Sequence, residues 1–287
     1  MATRSPAEDL ELVSKNRCFD GFVFKYQHIS RVLGGVTMRF NIFLPLSAIG
    51  PSGQNGAIKV PVLYFLSGLT CTEDNMITKS GAIKYLSEEG IALVTPDTSP
   101  RNAGVEGEDD SWDLGTGAGF YIDAVTDKWA RHYKMYSYIA EELPALINNN
   151  FNVGGHGALV LAMRNPGRYR SVSAFAPICN PCECELGQKA FAAYLGNDKS
   201  LWEKYDACCL VKEYKGPNLN ILLDQGSDDQ FLKQGSLLPD HFMAAAENNK
   251  ECVKIDNHLH PSFDHSYWFV QTFMENHIRF HAKYLKN

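Results

Sequence analysis

Uninterrupted apolar runs and helical apolar spacings alternate along the middle of this chain. Residues 60–66 and 91–94 are continuous apolar runs, which are typical of strands buried on both faces. Between them a helical pattern extends to Glu89 and ends at Gly90, a common residue type just after a helix. A strand, a helix and a strand in this order predict a right-handed parallel crossover, the unit of a doubly wound α/β sheet.

The same patterns predict elements on both sides of this crossover. Residues 22–26 and 37–46 are rich in aromatic and β-branched side chains and flank the Gly34-Gly35 turn, which predicts an antiparallel hairpin at a sheet edge. Residues 1–16 are predicted to be a frayed leader. The other predicted elements are a helix over 136–147 that is kinked at Pro144 or begins later, a helix over 158–163, strands at 172–176, 219–224 and 252–255, a helix over 240–248 and a closing amphipathic helix over 267–283.

Composition narrows the class of protein. A chain of 287 residues, 45% of them hydrophobic, can bury a large core, and without a linker or repeat it predicts one domain over residues 1–287. The net charge of -6 argues against nucleic acid or an anionic membrane as the main partner. No apolar run approaches the roughly 20 residues that cross a bilayer, and the polar N-terminus lacks the apolar stretch of a signal peptide. We therefore expect a soluble, cytoplasmic protein.

Eight cysteines raise the question of disulfides or a metal site. Without a secretory signal, free thiols are expected. The spacing Cys179-x-x-Cys182-x-Cys184 leaves zinc open as an alternative, but no second matching pair is nearby.

Candidate catalytic side chains follow three of the predicted strands. In an open α/β sheet the active site lies at the carboxyl ends of the strands. There, the backbone near Leu69 could donate to an oxyanion, Asp229 could orient an imidazole, and His265 could act as the general base. Asp228 competes with Asp229 for the orienting role.

Four other histidines have alternative interpretations. His258-x-His260 could form a metal site with His265, but no carboxylate spacing supports it. His277 and His281 lie one helical turn apart near the C-terminus and are interpreted as surface residues near exposed carbonyls. The prediction is that the protein uses neither a metal nor another cofactor.

The chain lacks the motif that would deliver a nucleophile to these residues. The segment Gly154-Gly155-His156-Gly157-Ala158 has the small residues and the helix start that follow G-x-S-x-G in serine hydrolases. That motif occurs nowhere in the 287 residues. Ser67 and Ser266 are possible substitutes, but neither is predicted on a strand–turn–helix elbow with small neighbours.

Several longer motifs, collinear from about residue 19 to the C-terminus, resemble the S-formylglutathione hydrolase (esterase D) family. They are LSGLTCT at 66–72, PDTSPR at 96–101, GTGAGFY at 115–121, SVSAFAPICNP at 171–181, DQGSDDQF at 224–231 and DHSY at 264–267. The resemblance implies an α/β-hydrolase fold and a cytosolic, cofactor-free, homodimeric thioesterase that releases glutathione and formate from S-formylglutathione. It further implies that Asp229 and His265 are triad members, that Leu69 is an oxyanion donor, and that Cys71 is a thiol beside the site.

This sequence departs from the family pattern at the centre of the fold. The family has a strand and then Gly-His-Ser-Met before the segment that begins at Gly154. A strand that crosses the sheet needs about five residues, or roughly 17 Å, whereas residues 151–153 span at most ~10 Å. Asn148, Asn149 and Asn150 could supply length but are poor residues for a buried strand. The nucleophile strand is therefore predicted to be missing or disrupted.

Three functional hypotheses follow. The first is an S-formylglutathione hydrolase in which this chain is an inactive splice or gene-model variant. The second is a non-catalytic protein that keeps an acyl-glutathione pocket or a dimer surface and acts by binding. The third is a carboxylesterase of broader specificity.

Overall fold

Two sheets, one in each of two units of the chain, form the framework of a computed structural model. The structure describes residues 10–49, 58–151, 153–154 and 159–286. The chain divides into units of residues 1–155 and 156–287. One domain over the whole chain stays a prediction.

The first unit contains a six-stranded mixed sheet. Its strands, in chain order, are β1 (Leu10–Arg17), β2 (Gly21–Ser30), β3 (Val36–Pro45), β4 (Val60–Tyr64), β5 (Ala92–Pro96) and β6 (Val153–Gly154). Their order in the sheet is β1-β2-β3-β5-β4-β6. The helices are α1 (Leu46–Ile49), α2 (Glu73–Lys79), α3 (Ala82–Glu89), α4 (Met135–Ser137) and α5 (Leu143–Asn150).

The predicted antiparallel hairpin is confirmed, but its placement at the sheet edge is wrong, because β1 pairs with β2 and forms that edge. β2 and β3 pair antiparallel from Gly21 opposite Pro45 to Ser30 opposite Val36. The connecting turn contains Gly34 and Gly35, both at positive φ.

The prediction of a frayed leader is wrong for residues 10–16. These residues belong to β1, which pairs antiparallel with β2 at the edge of the sheet. Most of the β1 side chains are exposed, so the strand carries little hydrophobic periodicity. Backbone hydrogen bonds with β2 hold the strand in place instead. The Lys15 ammonium also lies 4.7 Å from the centroid of the Phe22 ring. Residues 1–9 lie outside the described residues.

The predicted parallel crossover is also confirmed. β4 and β5 pair parallel, and two helices, α2 and α3, connect them. Thr72 caps α2 by accepting a hydrogen bond from the Asp74 N–H. α3 ends at Gly90, whose φ of +64° is the left-handed conformation that glycine adopts without a Cβ clash.

Pro144 distorts the helix predicted over 136–147. A five-residue π-helical segment, Tyr138–Glu142, separates α4 from α5, and Pro144 lies in the first turn of α5. Proline has no N–H to donate to the carbonyl four residues earlier, so the regular ladder is interrupted there.

The nucleophile strand is reduced to two residues. β6 pairs parallel with β4 through Val153 opposite Val60 and Gly154 opposite Pro61. The three asparagines at 148–150 belong to α5, so they do not lengthen the strand. A two-residue strand agrees with the shortage of chain length and with the prediction of a disrupted strand.

The second unit contains a parallel three-stranded sheet in the order β7-β8-β9. Its strands are β7 (Val172–Phe175), β8 (Leu219–Gly226) and β9 (Val253–His260). The helices are α6 (Leu159–Arg164), α7 (Glu185–Leu195), α8 (Lys199–Glu203), α9 (Ala207–Glu213), α10 (Gln230–Lys233), α11 (Pro239–Ala246) and α12 (Tyr267–Leu285), with 3-10 turns over Pro181–Glu183 and Glu247–Asn249. α7, α8 and α9 were not predicted from the sequence.

β9 extends five residues beyond the predicted strand because its second half carries no hydrophobic signal. Residues 256–260 are polar except for Leu259, and most of them are exposed. The backbone ladder with β8 continues nonetheless to Gly226 opposite His260. This extension brings two histidines alongside the end of β8.

All eight cysteines are free thiols, as expected. Burial raises the pKa of Cys208 to about 12 and that of Cys209 to about 11, which keeps both protonated near neutral pH. In the described part of the chain, no helix combines the length and the apolar character that crossing a bilayer requires.

Candidate active site

Two loops at the carboxyl ends of β8 and β9 are joined by close backbone contacts. The Ser227 N–H donates to the His260 carbonyl at 2.9 Å, and the Asp228 N–H donates to the Phe263 carbonyl at 2.9 Å. A Cβ on Gly226 would lie 2.3 Å from the Phe263 carbonyl oxygen, so only glycine fits there. These contacts fix the residues that follow Gly226 against those that precede His265.

Asp229 is fully buried and its carboxylate has four hydrogen-bond donors around it. One oxygen, Oδ1, caps α10 by accepting from the N–H groups of Phe231 at 2.7 Å and Leu232 at 3.2 Å. The other oxygen, Oδ2, accepts from Nε2 of Gln225 at 3.0 Å and faces Nδ1 of His265 at 2.7 Å. The carboxylate is therefore immobile and oriented.

Burial alone would raise the pKa of the Asp229 carboxyl. The hydrogen bonds from His265, Gln225 and the α10 backbone outweigh burial, and the pKa lies below its usual value. An ionised Asp229 makes Nδ1 of His265 the protonated nitrogen, which leaves a lone pair on Nε2.

His265 presents that lone pair outward. Its side chain is 38% exposed, and the ring packs edge-to-face against Phe231 with centroids 4.8 Å apart. Within the described ranges Nε2 has no hydrogen-bond partner. An oriented imidazole with a free Nε2 is the arrangement of a general base.

The competing carboxylate, Asp228, has a different environment. It is 55% exposed and pairs with Lys233 at 2.9 Å. It makes no described contact with His265, so the geometry favours Asp229 as the orienting residue.

Of the two possible substitute serines, Ser266 lies in the same unit as His265, and it donates its hydroxyl to Asp264 at 2.5 Å. In the first unit, Tyr121 donates its hydroxyl to the Ser67 carbonyl at 2.6 Å. Among the described residues of the second unit, no serine forms a hydrogen bond with His265. Residues 155–158, which resemble the end of a nucleophile-elbow motif in the sequence, lie outside the described residues.

The loop that follows β4 holds Leu69 and Cys71 in a fixed conformation. The Thr70 N–H donates to the Gly117 carbonyl at 2.8 Å, and Thr70 has a φ of +66°, a costly conformation for a β-branched residue. Among the described residues the Leu69 N–H donates to no carbonyl or side chain. A held loop with an uncommitted N–H is what an oxyanion donor requires.

Arg101 and Asp97 brace the same loop and were not singled out by sequence reasoning. The guanidinium contacts the Asp97 carboxylate at 2.7 and 2.9 Å and also donates to the Cys71 carbonyl at 3.0 Å. The hydrogen bond to Asp97 raises the pKa of Arg101, so the guanidinium stays charged. The PDTSPR motif held both residues, but only the fold shows that they face Cys71.

The interpretation of His277 and His281 as surface residues is wrong. Both side chains are buried, at 3% and 4% exposure, since this face of α12 packs on β7. Their rings bond with Ser173 and Ser171. The interpretation relied on distance from the C-terminus, which carries no information about burial.

The alternative in which His258 and His260 form a metal site with His265 is also not supported by the fold. His265 faces Asp229, whereas His258 and His260 face Asp224 on the neighbouring strand. Asp224 is the carboxylate that the sequence spacing did not reveal.

Comparison with known proteins agrees with the fold. Residues 30–280 match the family model described as "Putative esterase". An S-formylglutathione hydrolase of Mus musculus is 53% identical over 96% of this chain and 99% of its own length, and one of Arabidopsis thaliana is 47% identical over 98% and 99%. A solved S-formylglutathione hydrolase structure from Agrobacterium tumefaciens superposes with a TM-score of 0.86 at 39% identity, over 96% of this chain and 99% of that one.

The fold is therefore that of an α/β-hydrolase esterase. Identity of this extent over nearly the whole chain shows the family as well. The chain belongs to the S-formylglutathione hydrolase family.

Proposed function

We propose that this chain is a nucleophile-deficient S-formylglutathione hydrolase, inactive as it stands, whose intact form releases glutathione and formate from S-formylglutathione. One observation carries the proposal: a buried Asp229 orients His265, yet the sequence has no G-x-S-x-G motif and no serine described in the second unit forms a hydrogen bond with the imidazole. Asp229, His265 and Leu69 would serve as acid, base and oxyanion donor.

In the intact form the chemistry is acyl transfer through serine. His265 Nε2 takes the proton of the serine hydroxyl while the serine oxygen attacks the thioester carbonyl carbon. The Leu69 N–H stabilises the negative charge on the carbonyl oxygen. The C–S bond then breaks, His265 returns the proton to the glutathione sulfur, and a formyl-serine remains. A water molecule, deprotonated by His265, hydrolyses this ester to formate and serine.

Without the serine, the first bond of this sequence cannot form. In the serine-protease precedent, removal of the nucleophile costs about a millionfold in kcat, and the remaining acceleration comes from binding and the oxyanion hole. We therefore expect turnover of this chain to be near background.

The alignments support a loss of residues from this chain. The alignment with the Mus musculus relative runs over 288 positions but includes only 96% of the 287 residues here. It therefore contains positions at which this chain has no residue. Two observations suggest that these positions lie at β6: this strand has only two residues, and the family's Gly-His-Ser-Met is absent before Gly154.

The test compares the purified chain with a restored form in which a full-length strand and Gly-His-Ser-Met are inserted before Gly154. We expect thioester hydrolysis only in the restored form. A restored form with alanine in place of the inserted serine is the matched control, because it repairs the sheet without the nucleophile.

Turnover by the chain as it stands, abolished by His265→Ala, would overturn the proposal. A folded restored form that hydrolyses p-nitrophenyl esters far faster than S-formylglutathione would favour a broader carboxylesterase. Sequencing the transcript across residues 147–154 tests whether the gap is a splice or gene-model variant.

A second candidate function is binding without catalysis. It is favoured by the loop at Leu69, since the contacts of this loop with Gly117 and Arg101 do not depend on the elbow. Calorimetric titration with a non-hydrolysable glutathione thioether should release heat if this function is real. A folded sample that gives no heat would exclude it.

The family resemblance also suggests a cytoplasmic homodimer. Free cysteines fit a reducing compartment. Light scattering on the restored form and fractionation of cells that express it would test assembly and location.

A further inference from the structure

A second group of titratable side chains lies on the sheet of β8 and β9, apart from the Asp229–His265 pair. In the parallel ladder Asp224 is directly opposite His258, and Gly226 is opposite His260. Because side chains alternate between faces with a period of two, Asp224, His258 and His260 share one face of the sheet.

Their polar atoms converge, but only one pair of them forms a hydrogen bond. Oδ1 of Asp224 contacts Nδ1 of His258 at 2.9 Å. Oδ2 lies 3.3 Å from Nε2 of His260 and 3.4 Å from Nε2 of His277, but neither contact has hydrogen-bond geometry. These three atoms are buried and have no hydrogen-bond partner among the residues that the structure describes, and the Asp224 side chain is only 1% exposed.

A cluster of buried polar atoms without partners destabilises the fold unless a ligand binds to them. A buried polar atom without a partner is destabilising, because it has given up its hydrogen bonds to water and gained none in return. The unpartnered atoms here are a carboxylate oxygen and two imidazole nitrogens, which are all ligand atoms for a divalent transition metal. We propose that Asp224, His258 and His260 bind a zinc-class divalent cation, with His277 available as a fourth ligand.

The distances fit tetrahedral coordination. Ligand atoms bound at 2.0–2.1 Å to a tetrahedral zinc ion lie roughly 3.3–3.4 Å from each other. The separations of Asp224 Oδ2 from His260 and His277 have these values. The ligand atoms of Asp224, His258 and His260 all lie within 4.8 Å of one another. His258 is 45% exposed, so its ring can rotate into place and solvent can reach the site.

The surrounding side chains hold two of the rings. His260 stacks on Phe273 and His277 stacks on Phe175, each with centroids 3.7 Å apart. Nδ1 of His277 is bonded to Ser173 Oγ at 2.8 Å, an outer contact that directs the Nε2 lone pair toward Asp224. An ion there would link β8, β9 and α12 and stabilise the second unit. The proposal does not depend on the proposed function.

The test uses the full chain, without a histidine tag and stripped with EDTA, titrated with Co²⁺ as a spectroscopic substitute for Zn²⁺. We expect one equivalent to bind with d–d absorption bands and no thiolate charge-transfer band, which separates this site from the eight cysteines. His258→Gln and His260→Gln should each weaken binding at least about tenfold. His265→Ala is the matched control and should bind Co²⁺ like the wild type.

Thermal melts supply a second readout. Zn²⁺ should raise the Tm of the wild type above its own metal-free value, whereas the Tm of His258→Gln should be the same with and without Zn²⁺. Absence of binding, a thiolate band, or undiminished binding in the folded His258→Gln variant would overturn the proposal.

Discussion

Two buried carboxylates, five residues apart on β8 and the loop after it, contact histidines in different ways. The Asp229 carboxylate accepts from several donors and faces one imidazole, whose second nitrogen has no partner in the described part of the chain. Asp224 faces three imidazoles, and its Oδ2 satisfies none of them.

The difference shows that a carboxylate–histidine pair does not define a chemistry by itself. A satisfied carboxylate fixes the tautomer of one ring and leaves a single basic nitrogen, which suits proton transfer. An unsatisfied carboxylate among several imidazoles leaves converging lone pairs, which suits a cation. The two sites therefore differ in which polar atoms have no hydrogen-bond partner among the described residues: one imidazole nitrogen at Asp229, and a carboxylate oxygen with two imidazole nitrogens at Asp224.

The sharpest test of this comparison is Asp229→Asn in the restored form. An amide favours the wrong tautomer of His265, and in the triad precedent this change lowers kcat about ten-thousandfold. Steady-state kinetics should show that loss for Asp229→Asn. Asp228→Asn is the matched control, since Asp228 is exposed and pairs with Lys233. Equal losses in both variants would contradict the assignment.

Gly226→Ala should separate the Asp229 loop from the His265 loop. The new Cβ would meet the Phe263 carbonyl, and backbone shifts of this kind cost about 1–3 kcal/mol. Urea unfolding measures the loss of free energy of unfolding. Gly68→Ala is the control, because its Cβ would have no neighbour within 4 Å. No difference between the two variants would mean that the loops are not in tight contact.

A smaller effect should appear in the dependence of stability on pH. Burial lowers the pKa of His277, and the nearby Asp224 only partly offsets it, while His258 and His260 add to the lowering. The unfolded chain therefore binds more protons just below pH ~6.5, so the free energy of unfolding should fall as the pH is lowered through that value. Melts in EDTA would show this, and His277→Gln should flatten the profile. A wild-type profile that is level from pH 7 to 5 would argue against a neutral, buried His277.

The smallest effect is expected at Ser262, which precedes Phe263. Its φ of +65° costs an L-residue about 1 kcal/mol relative to glycine. Ser262→Gly should stabilise the chain by up to about that amount, whereas Ser262→Ala keeps the Cβ and should not. Urea unfolding of both variants is the measurement. A gain in the alanine variant would point to the hydroxyl rather than the backbone.

The sequence by itself determined the parts of this protein that depend on local chemistry. Apolar runs predicted β4 and β5, Gly90 predicted the end of α3, and Pro144 predicted the break in its helix. The absence of G-x-S-x-G and the shortage of residues before Gly154 predicted the disrupted strand, because chain length and motif are properties of the sequence alone.

Only the tertiary structure decided which polar residues meet. The pairing of β8 with β9 sets Asp224 opposite His258, although 34 positions separate them in the sequence. The ladder continues through residues without hydrophobic periodicity, and burial of His277 depends on how α12 packs. Backbone pairing and helix packing act between distant segments, so no local pattern records them.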